Sequence, residues 1–275
     1  MKSHGFETEI EVAAAIDAGH LSLSLEPEIV LATRRCESVR VRPWLTLPGI
    51  GPIDARLFAS SIGRQGRTAV FAYALLERSL AEVTRLAVRG AFVRAVVEVD
   101  PELVATRGFA CVVKDELADT GLPPSAITLE IDVPWSASTT RTVGENLEAL
   151  VGSGIAARLP RVKDLDSLCT RLDELPFTEL SVHRGLVNHL LADARSERRE
   201  VLARLRRCRP DLRIVAEGGS HLAEAEALSA CGFTVVRDDG FGPGLGTAAL
   251  VRLLRRESSP GRRTRDVGSS VREIA

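Results

Sequence analysis

Arg40 and Arg42 stand two residues apart in a β-branched, aliphatic stretch, so in a strand both side chains leave the same face. A guanidinium is a fixed fork of donors that suits phosphate or carboxylate oxygens. The pair therefore marks either a phosphate-binding face or a set of partners for buried acids, which would be costly unpaired. His183 follows Glu179-Leu180-Ser181-Val182. A neutral imidazole there can act as a base or metal ligand. With no second histidine close by, a hydrogen-bonded residue at a strand end is the simpler reading. The run Gly240-Phe241-Gly242-Pro243-Gly244-Leu245-Gly246 precedes a helical segment. Glycines before a helix can cradle an anion, but this run contains proline and matches no dinucleotide fingerprint. It reads as a loop at a barrel mouth. The five cysteines (36, 111, 169, 208 and 231) are odd in number and form no C-x-x-C. They read as free, mostly buried thiols rather than a disulfide or zinc framework.

These residues need elements to position them, and the chain alternates strand-like and helix-like segments almost throughout. Strands are expected at Leu21–Leu31, Val39–Leu45, Phe92–Val99, Ile127–Val133, Ile155–Leu159, Glu179–His183, Leu212–Ala216 and Phe233–Arg237. Helices are expected over 52–62, 68–89, 101–120, 140–151, 165–175, 196–207, 221–230 and 245–256. Asp100 and Pro101 supply an N-cap and a first-turn proline to one of them. This order implies a single-domain α/β chain, a closed (β/α)₈ TIM-like barrel over residues 9–256. Residues 1–8 and the aperiodic 257–275 are expected to be flexible.

With 275 residues and 45% apolar content the chain can bury one large core. Its 36 Lys+Arg and 37 Asp+Glu leave a net charge of −1. That balance argues against a general electrostatic grip on nucleic acid or an anionic membrane. No segment has the make-up of a signal peptide or a membrane helix, and a cytoplasmic protein is expected.

Several landmarks stand in a fixed order: Glu26-Pro27-Glu28-Ile29-Val30, Leu129-Glu130-Ile131-Asp132, Leu175-Pro176-Phe177-Thr178-Glu179-Leu180, Ile214-Val215-Ala216-Glu217-Gly218, and Cys231-Gly232-Phe233 through Gly242-Pro243. In this order the chain, from about Leu21 to Leu254, resembles the EAL domain family, the cyclic di-GMP phosphodiesterase barrel. Two literal Glu-Ala-Leu triplets, Glu148–Leu150 and Glu226–Leu228, lie in expected helices and are not the family's strand-two triplet. That strand here reads Glu37-Ser38-Val39-Arg40-Val41-Arg42-Pro43-Trp44. The family's metal-binding glutamate falls at Arg40 counted from Pro27, or at Val39 counted from Trp44, with Glu37 a substitute if the strand bulges.

The resemblance implies further losses. The family's strand-three asparagine is matched by Glu98, its strand-four glutamate by Glu130, and the glutamate of its Val-Val-Ala-Glu-Gly by Glu217. Its loop-supporting glutamate is Val133, its metal-bridging Asp-Asp is Leu159-Pro160, and its lysine and companion aspartate are Ser181 and His183. A later glutamate is Ser220, and its terminal Gln-Gly is Arg237-Asp238. Mg²⁺ and Mn²⁺ want oxygen ligands, which neither Leu159 nor Pro160 offers as a side chain. Glu98, Glu130 and Glu217 suffice for one weak divalent site, not for a bridged pair. The resemblance thus implies a regulatory protein without catalysis, expected to hold no cofactor: a cyclic di-GMP receptor or a protein-interaction module, with output through a protein partner or a homodimer. Arg40, Arg42, Glu98, Glu130, His183, Glu217 and Arg237 are the candidate ligand-binding residues. The alternative is residual Mg²⁺- or Mn²⁺-dependent phosphodiesterase activity through the three glutamates. In the family the helix after the Asp-Asp loop helps pair barrels, which makes Lys163–Leu175 a candidate dimer surface.

Overall fold

The computed structural model describes residues 14–258 except 65, 134–136, 166–167, 193–196, 219–223 and 238–243, and gives the backbone alone at 61, 137–140, 169–171, 197–199 and 258. Among the described residues nine strands are present: β1 (Leu21–Val30), β2 (Cys36–Leu47), β3 (Gly51–Asp54), β4 (Arg94–Val99), β5 (Ile127–Ile131), β6 (Ala156–Val162), β7 (Glu179–Val182), β8 (Arg213–Glu217) and β9 (Val235–Arg237). They run in the order β1-β9-β8-β7-β6-β5-β4-β2-β3, and a further β1–β2 pairing closes the sheet. Because β3 pairs only with β2, the remaining eight strands form the expected barrel.

The first strand is reversed. β1 lies antiparallel to both β2 and β9, whereas the other neighbours around the barrel are parallel. A parallel pair needs a crossover of a dozen or more residues, and only residues 31–35 join β1 to β2. A hairpin is the only connection available, and Arg34 turns it with φ 58°.

β5 shows how the barrel divides its residues. Ile127, Leu129 and Ile131 join the apolar core beneath the helices, while Thr128 and Glu130, equally buried, alternate to the other face and enter the lumen. The same alternation sends Ser38 and Arg40 of β2, Arg158 of β6, Ser181 of β7 and Arg237 of β9 inward. This polar lumen differs from the layers of branched aliphatic side chains that usually fill such barrels.

The helices are α1 (Ala59–Arg64), α2 (Thr68–Val88), α3 (Pro101–Val104), α4 (Phe109–Asp119), α5 (Ala137–Gly152), α6 (Leu168–Glu174), α7 (Arg184–Ala192), α8 (Glu197–Cys208), α9 (Ala225–Ala230) and α10 (Thr247–Ser258). Three differ from the expectation. The segment 52–62 is not one helix: Gly49 and Gly51, both at positive φ, turn the chain back into β3, and a short 3₁₀ turn (Ala55–Phe58) precedes α1. Pro52 is tolerated because β3 is an edge strand, where a missing N–H breaks no ladder. The helix expected over 101–120 breaks at Gly108, which has φ 83°. α7 was not anticipated, because it follows β7 with only His183 between them.

α10 runs through Ser258, past the expected boundary, and Glu257 Oε2 accepts the Cys36 N–H at 3.0 Å. Cys36 and Cys231 are buried, but Cys111 and Cys208 are exposed, against the expectation of mostly buried thiols. Among the described residues no helix is long and apolar enough to cross a membrane.

Leu245 forms an antiparallel bridge to Leu25 through two backbone hydrogen bonds of 2.7 and 2.9 Å, holding the chain after β9 against β1. Gly244 makes this approach possible. It sits at φ 93°, and a Cβ there would lie 2.9 Å from Ser24 Oγ. Gly244→Ala is expected to destabilise the barrel by roughly 1–2 kcal/mol from the left-handed backbone alone. Urea denaturation measures it, and an unchanged midpoint would contradict the account.

Candidate functional site

The lumen is built around Arg158, whose side chain is fully buried on β6. Its Nη1 lies 2.5 Å from Glu28 Oε1 and its Nη2 2.9 Å from Glu28 Oε2. Its Nε and Nη2 donate to Glu179 Oε2 at 3.0 and 2.7 Å. Glu179 also takes Arg94 Nη1 at 2.5 Å. Ser38 Oγ donates to Glu28 Oε2 at 2.7 Å and accepts from Arg213 Nη2 at 2.7 Å. Strands β1, β2, β4, β6, β7 and β8 are thus cross-linked through their inward side chains.

Toward the mouth a second set repeats the pattern. Glu98 and Glu130 face each other across the β4–β5 ladder. Arg40 Nη2 lies 2.7 Å from Glu98 Oε2 and 2.9 Å from Glu130 Oε1, and Arg40 Nε donates to that same oxygen at 3.0 Å. Glu130 Oε2 makes no hydrogen bond among the described residues, but it faces Arg158 Nη1 at 3.6 Å and Arg237 Nη1 at 3.8 Å. Glu217 Oε1 takes Arg237 Nη2 at 2.8 Å and the Ser181 hydroxyl at 2.6 Å. Arg42 lies above Arg40 on the same face, 3.0 Å from Glu26 Oε1 and 3.4 Å from Asp54 Oδ2.

The rim is looser. At Leu159–Val162 the β6–β7 register shifts, and Arg161 takes φ 50°, uncommon for a residue with a side chain. Its N–H donates to Ser181 Oγ at 2.9 Å. Its guanidinium reaches across the mouth to Glu98 Oε1 at 3.4 Å and Asp132 Oδ2 at 3.6 Å. Arg161 lines two cavities. One, of about 330 Å³, has an apolar wall including Pro43, Phe71 and Leu75, with Glu98 and Asp132 at its edge. The other, of about 290 Å³, includes Asp132, Pro160, Lys163 and Asp164.

Burial sets the electrostatics. It pushes the Glu130 carboxyl toward protonation, but the guanidiniums of Arg40, Arg237 and Arg158 outweigh it and hold the group below its ordinary range. Glu28 is likewise driven up by burial and brought down further by Arg158. Burial opposes charge on Arg40, and Glu130 with Glu98 more than restores it. At Glu257 burial prevails and raises the carboxyl.

The candidate residues separate as follows. Arg40, Glu98 and Glu130 meet in one cluster, and Arg237 with Glu217 forms another beside it. Arg42 stands at the rim. His183 stands apart from both: its Nδ1 accepts the Gly185 N–H at 3.1 Å and caps α7. β2 does bulge beside Glu37, but the side chain is exposed at the end of the barrel away from the mouth and accepts from Thr33, so it supplies no mouth ligand. Val39 belongs to the core beneath the helices, leaving Arg40 as the inward residue at that level. Leu159 is buried, and strand alternation turns it away from Arg158 and toward the core. Ser220 and Asp238 lie outside the described residues, as do positions 240–243 of the glycine-rich run. Glu28, Arg158 and Glu179 were missing from the sequence-based set. Their signal is an ionisable residue flanked by aliphatic neighbours inside a strand, as in Ala157-Arg158-Leu159.

The family model for the EAL domain matches residues 10–237. Similar solved structures include the EAL domain of FimX from Xanthomonas citri in complex with cyclic di-GMP, at 16% identity over 90% of this chain and 97% of that one, TM-score 0.76. The PaMucR phosphodiesterase in complex with cyclic di-GMP is 22% identical over 89% of this chain and 99% of that one, TM-score 0.73. The EAL enzyme Bd1971, bound to cAMP and cyclic di-GMP, is 16% identical over 90% of this chain and 68% of that one, TM-score 0.75. Among curated proteins none matches.

Two outcomes follow from the lumen. Arg158→Met would leave Glu28 and Glu179 buried and short of their partner, and is expected to cost about 3–5 kcal/mol in urea denaturation. Truncating Arg141, exposed and paired with Glu145 on its own helix, should leave the midpoint unmoved. The second concerns pH. Folding lowers the Glu28 and Glu130 carboxyls below the ordinary value of 4.5. The folded state therefore binds fewer protons, and their stabilisation is complete above that value and lost as pH falls below it. The contribution of these two carboxylates should be level from about pH 7 to about pH 5 and decline steadily under more acid conditions, and a Glu257→Gln background removes the opposite contribution of the raised Glu257 carboxyl. A flat profile down to about pH 3 would remove these two carboxylates from the stability account.

Proposed function

The chain belongs to the EAL domain family, and from that premise we propose that it is a non-hydrolysing regulatory barrel of bacterial cyclic di-GMP signalling, acting in the cytoplasm as a receptor for the dinucleotide. The observation that carries this reading is at the end of β6, where the resemblance matches Leu159-Pro160 to the family's metal-bridging Asp-Asp. One is an aliphatic side chain turned into the core, the other an imino acid without a side-chain oxygen. The other oxygen sources do not compensate. Among the described residues no group of three or more His, Cys, Asp or Glu could hold a metal ion. Glu98 and Glu130 share Arg40, and Glu217 is held by Arg237. The residues present do not fit the divalent ions that the family implies, so no hydrolytic step is derived through them.

The receptor role draws on the rim. Its large cavity joins an apolar wall, suited to a purine face, to the guanidiniums of Arg56 and Arg161. Arg42 stands partly exposed nearby. Solved EAL domains of the same fold hold cyclic di-GMP, as the FimX and PaMucR complexes do. A second reading, a protein-interaction module indifferent to nucleotide, is favoured by the engagement of Arg42 with both Glu26 and Asp54. In either case signalling passes through a protein partner or a second copy of the chain, with Lys163–Leu175 the candidate surface.

Calorimetric titration with cyclic di-GMP, with and without Mg²⁺, separates these. The receptor gives metal-independent heat and no linear dinucleotide. Arg42→Ala is expected to weaken binding by about tenfold, the equivalent of one lost charge-assisted contact. Absence of heat in both titrations leaves the interaction module. Metal-dependent accumulation of linear product would establish residual phosphodiesterase activity and overturn both.

A further inference from the structure

We propose that Arg40 is a tethered cation standing in the place of a divalent ion, and that removing its side chain opens a divalent-cation site between Glu98 and Glu130. The inference builds on the reading of the mouth as unable to take metal, and extends it by naming what occupies that position.

Of the two positions to which the family's strand-two glutamate could fall, Val39 faces the core and Arg40 faces the lumen. A metal ligand would have to take the second. At that position an acid has given way to a base, and the base turns toward the two acids that remain. A single nitrogen, Arg40 Nη2, contacts Glu98 at 2.7 Å and Glu130 at 2.9 Å, from strands whose carboxylate-bearing residues are paired directly in the ladder. Two carboxylates from neighbouring strands converging on one point supply the kind of oxygen ligand a hard cation takes, with water completing the shell. Here the positive charge at that point belongs to the chain.

The alternative, that Arg40 only fills space, does not account for the contacts. Three of its interactions are with these acids at 3.0 Å or less, and Glu26 stands at 3.8 Å from its remaining amino group. Nor is the neighbouring Arg237–Glu217 pair equivalent. Arg237 makes one short contact, to Glu217, which is also bonded to Ser181, and stands 3.8 Å from both Glu130 and Glu28, so it does not bridge two acids at short range. Without Arg40, Glu130 would remain buried with its Oε1 stripped of both direct bonds and only the longer approaches of Arg158 and Arg237 to Oε2, at 3.6 and 3.8 Å, and a buried carboxylate so weakly matched draws in a cation or a proton.

The test uses Mn²⁺ alone, with no nucleotide, on the full chain and two variants. Arg40→Met removes the charge and adds no ligand, while Arg40→Glu adds a third carboxylate. Free Mn²⁺ measured by electron paramagnetic resonance should show no stoichiometric binding to the unmodified chain. Arg40→Glu should take up one ion per chain at least about tenfold more tightly than the unmodified chain, with Arg40→Met between them. Thermal midpoints should rise with Mn²⁺ in both variants and stay fixed in the parent. If Arg40→Glu does not fold without metal, recovery of its near-ultraviolet circular dichroism on adding Mn²⁺ supports the proposal. If it fails to fold in either condition, Arg40→Met decides. Mn²⁺ binding by the unmodified chain as tight as by Arg40→Glu, or folded variants indifferent to Mn²⁺, would overturn it. Failure of cyclic di-GMP to bind would count against the receptor reading and leave this titration unaffected.

Discussion

The fold depends on keeping charged groups inside a barrel without leaving any of them alone. Placing an ion in a protein interior costs several kcal/mol, repaid only when geometry and hydrogen bonding are both good. Arg158, fully buried, meets that condition with Glu28 on one side and Glu179 on the other. Each charge is buried because the barrel closes around it, and the closure is tolerable because each charge is matched. This mutual dependence makes the interior less forgiving than an apolar one. A hydrocarbon core can absorb a lost methylene by partial collapse, whereas a lost guanidinium leaves acids behind that cannot collapse onto each other.

The mouth repeats the same chemistry closer to solvent. Its glutamates, Glu98, Glu130 and Glu217, are all paired with arginines of the same chain. Arg40, Arg158 and Arg237 all approach Glu130, which stands at the junction of the deep and outer groups. The outermost cation, Arg161, has longer contacts and a left-handed backbone, so the network relaxes from tightly matched to loosely held as it nears the cavities.

Much of this was legible in the sequence, for definable reasons. The eight barrel strands are short aliphatic runs between helical periodicities, and their order survives as a recognisable series of landmarks. The reversed first strand and β3 were not legible, because each depends on the length and glycine content of a turn rather than on a hydrophobic pattern. α7 was hidden by its immediate junction to β7. In the mouth, Arg40 and Glu130 could be picked out, but their distances could not. Arg158 is less conspicuous, because it is a single charged residue among the aliphatic neighbours of β6, with no second arginine two places away to mark the face as Arg42 does for Arg40. The alternation that puts Arg158 into the lumen is the same alternation that points Leu159 away from it.

The reversed β1 also fixes how the barrel is approached along the chain. Leu21 pairs with Leu45, near the open rim, whereas Ile29 pairs with Cys36 at the far end. Glu257 of α10 is docked at that far end, on the Cys36 amide. The two ends of the described barrel thus face different surroundings: the start of β1 stands on the side of the cavities, and the end of α10 on the side of Cys36, with the height of the strands between them.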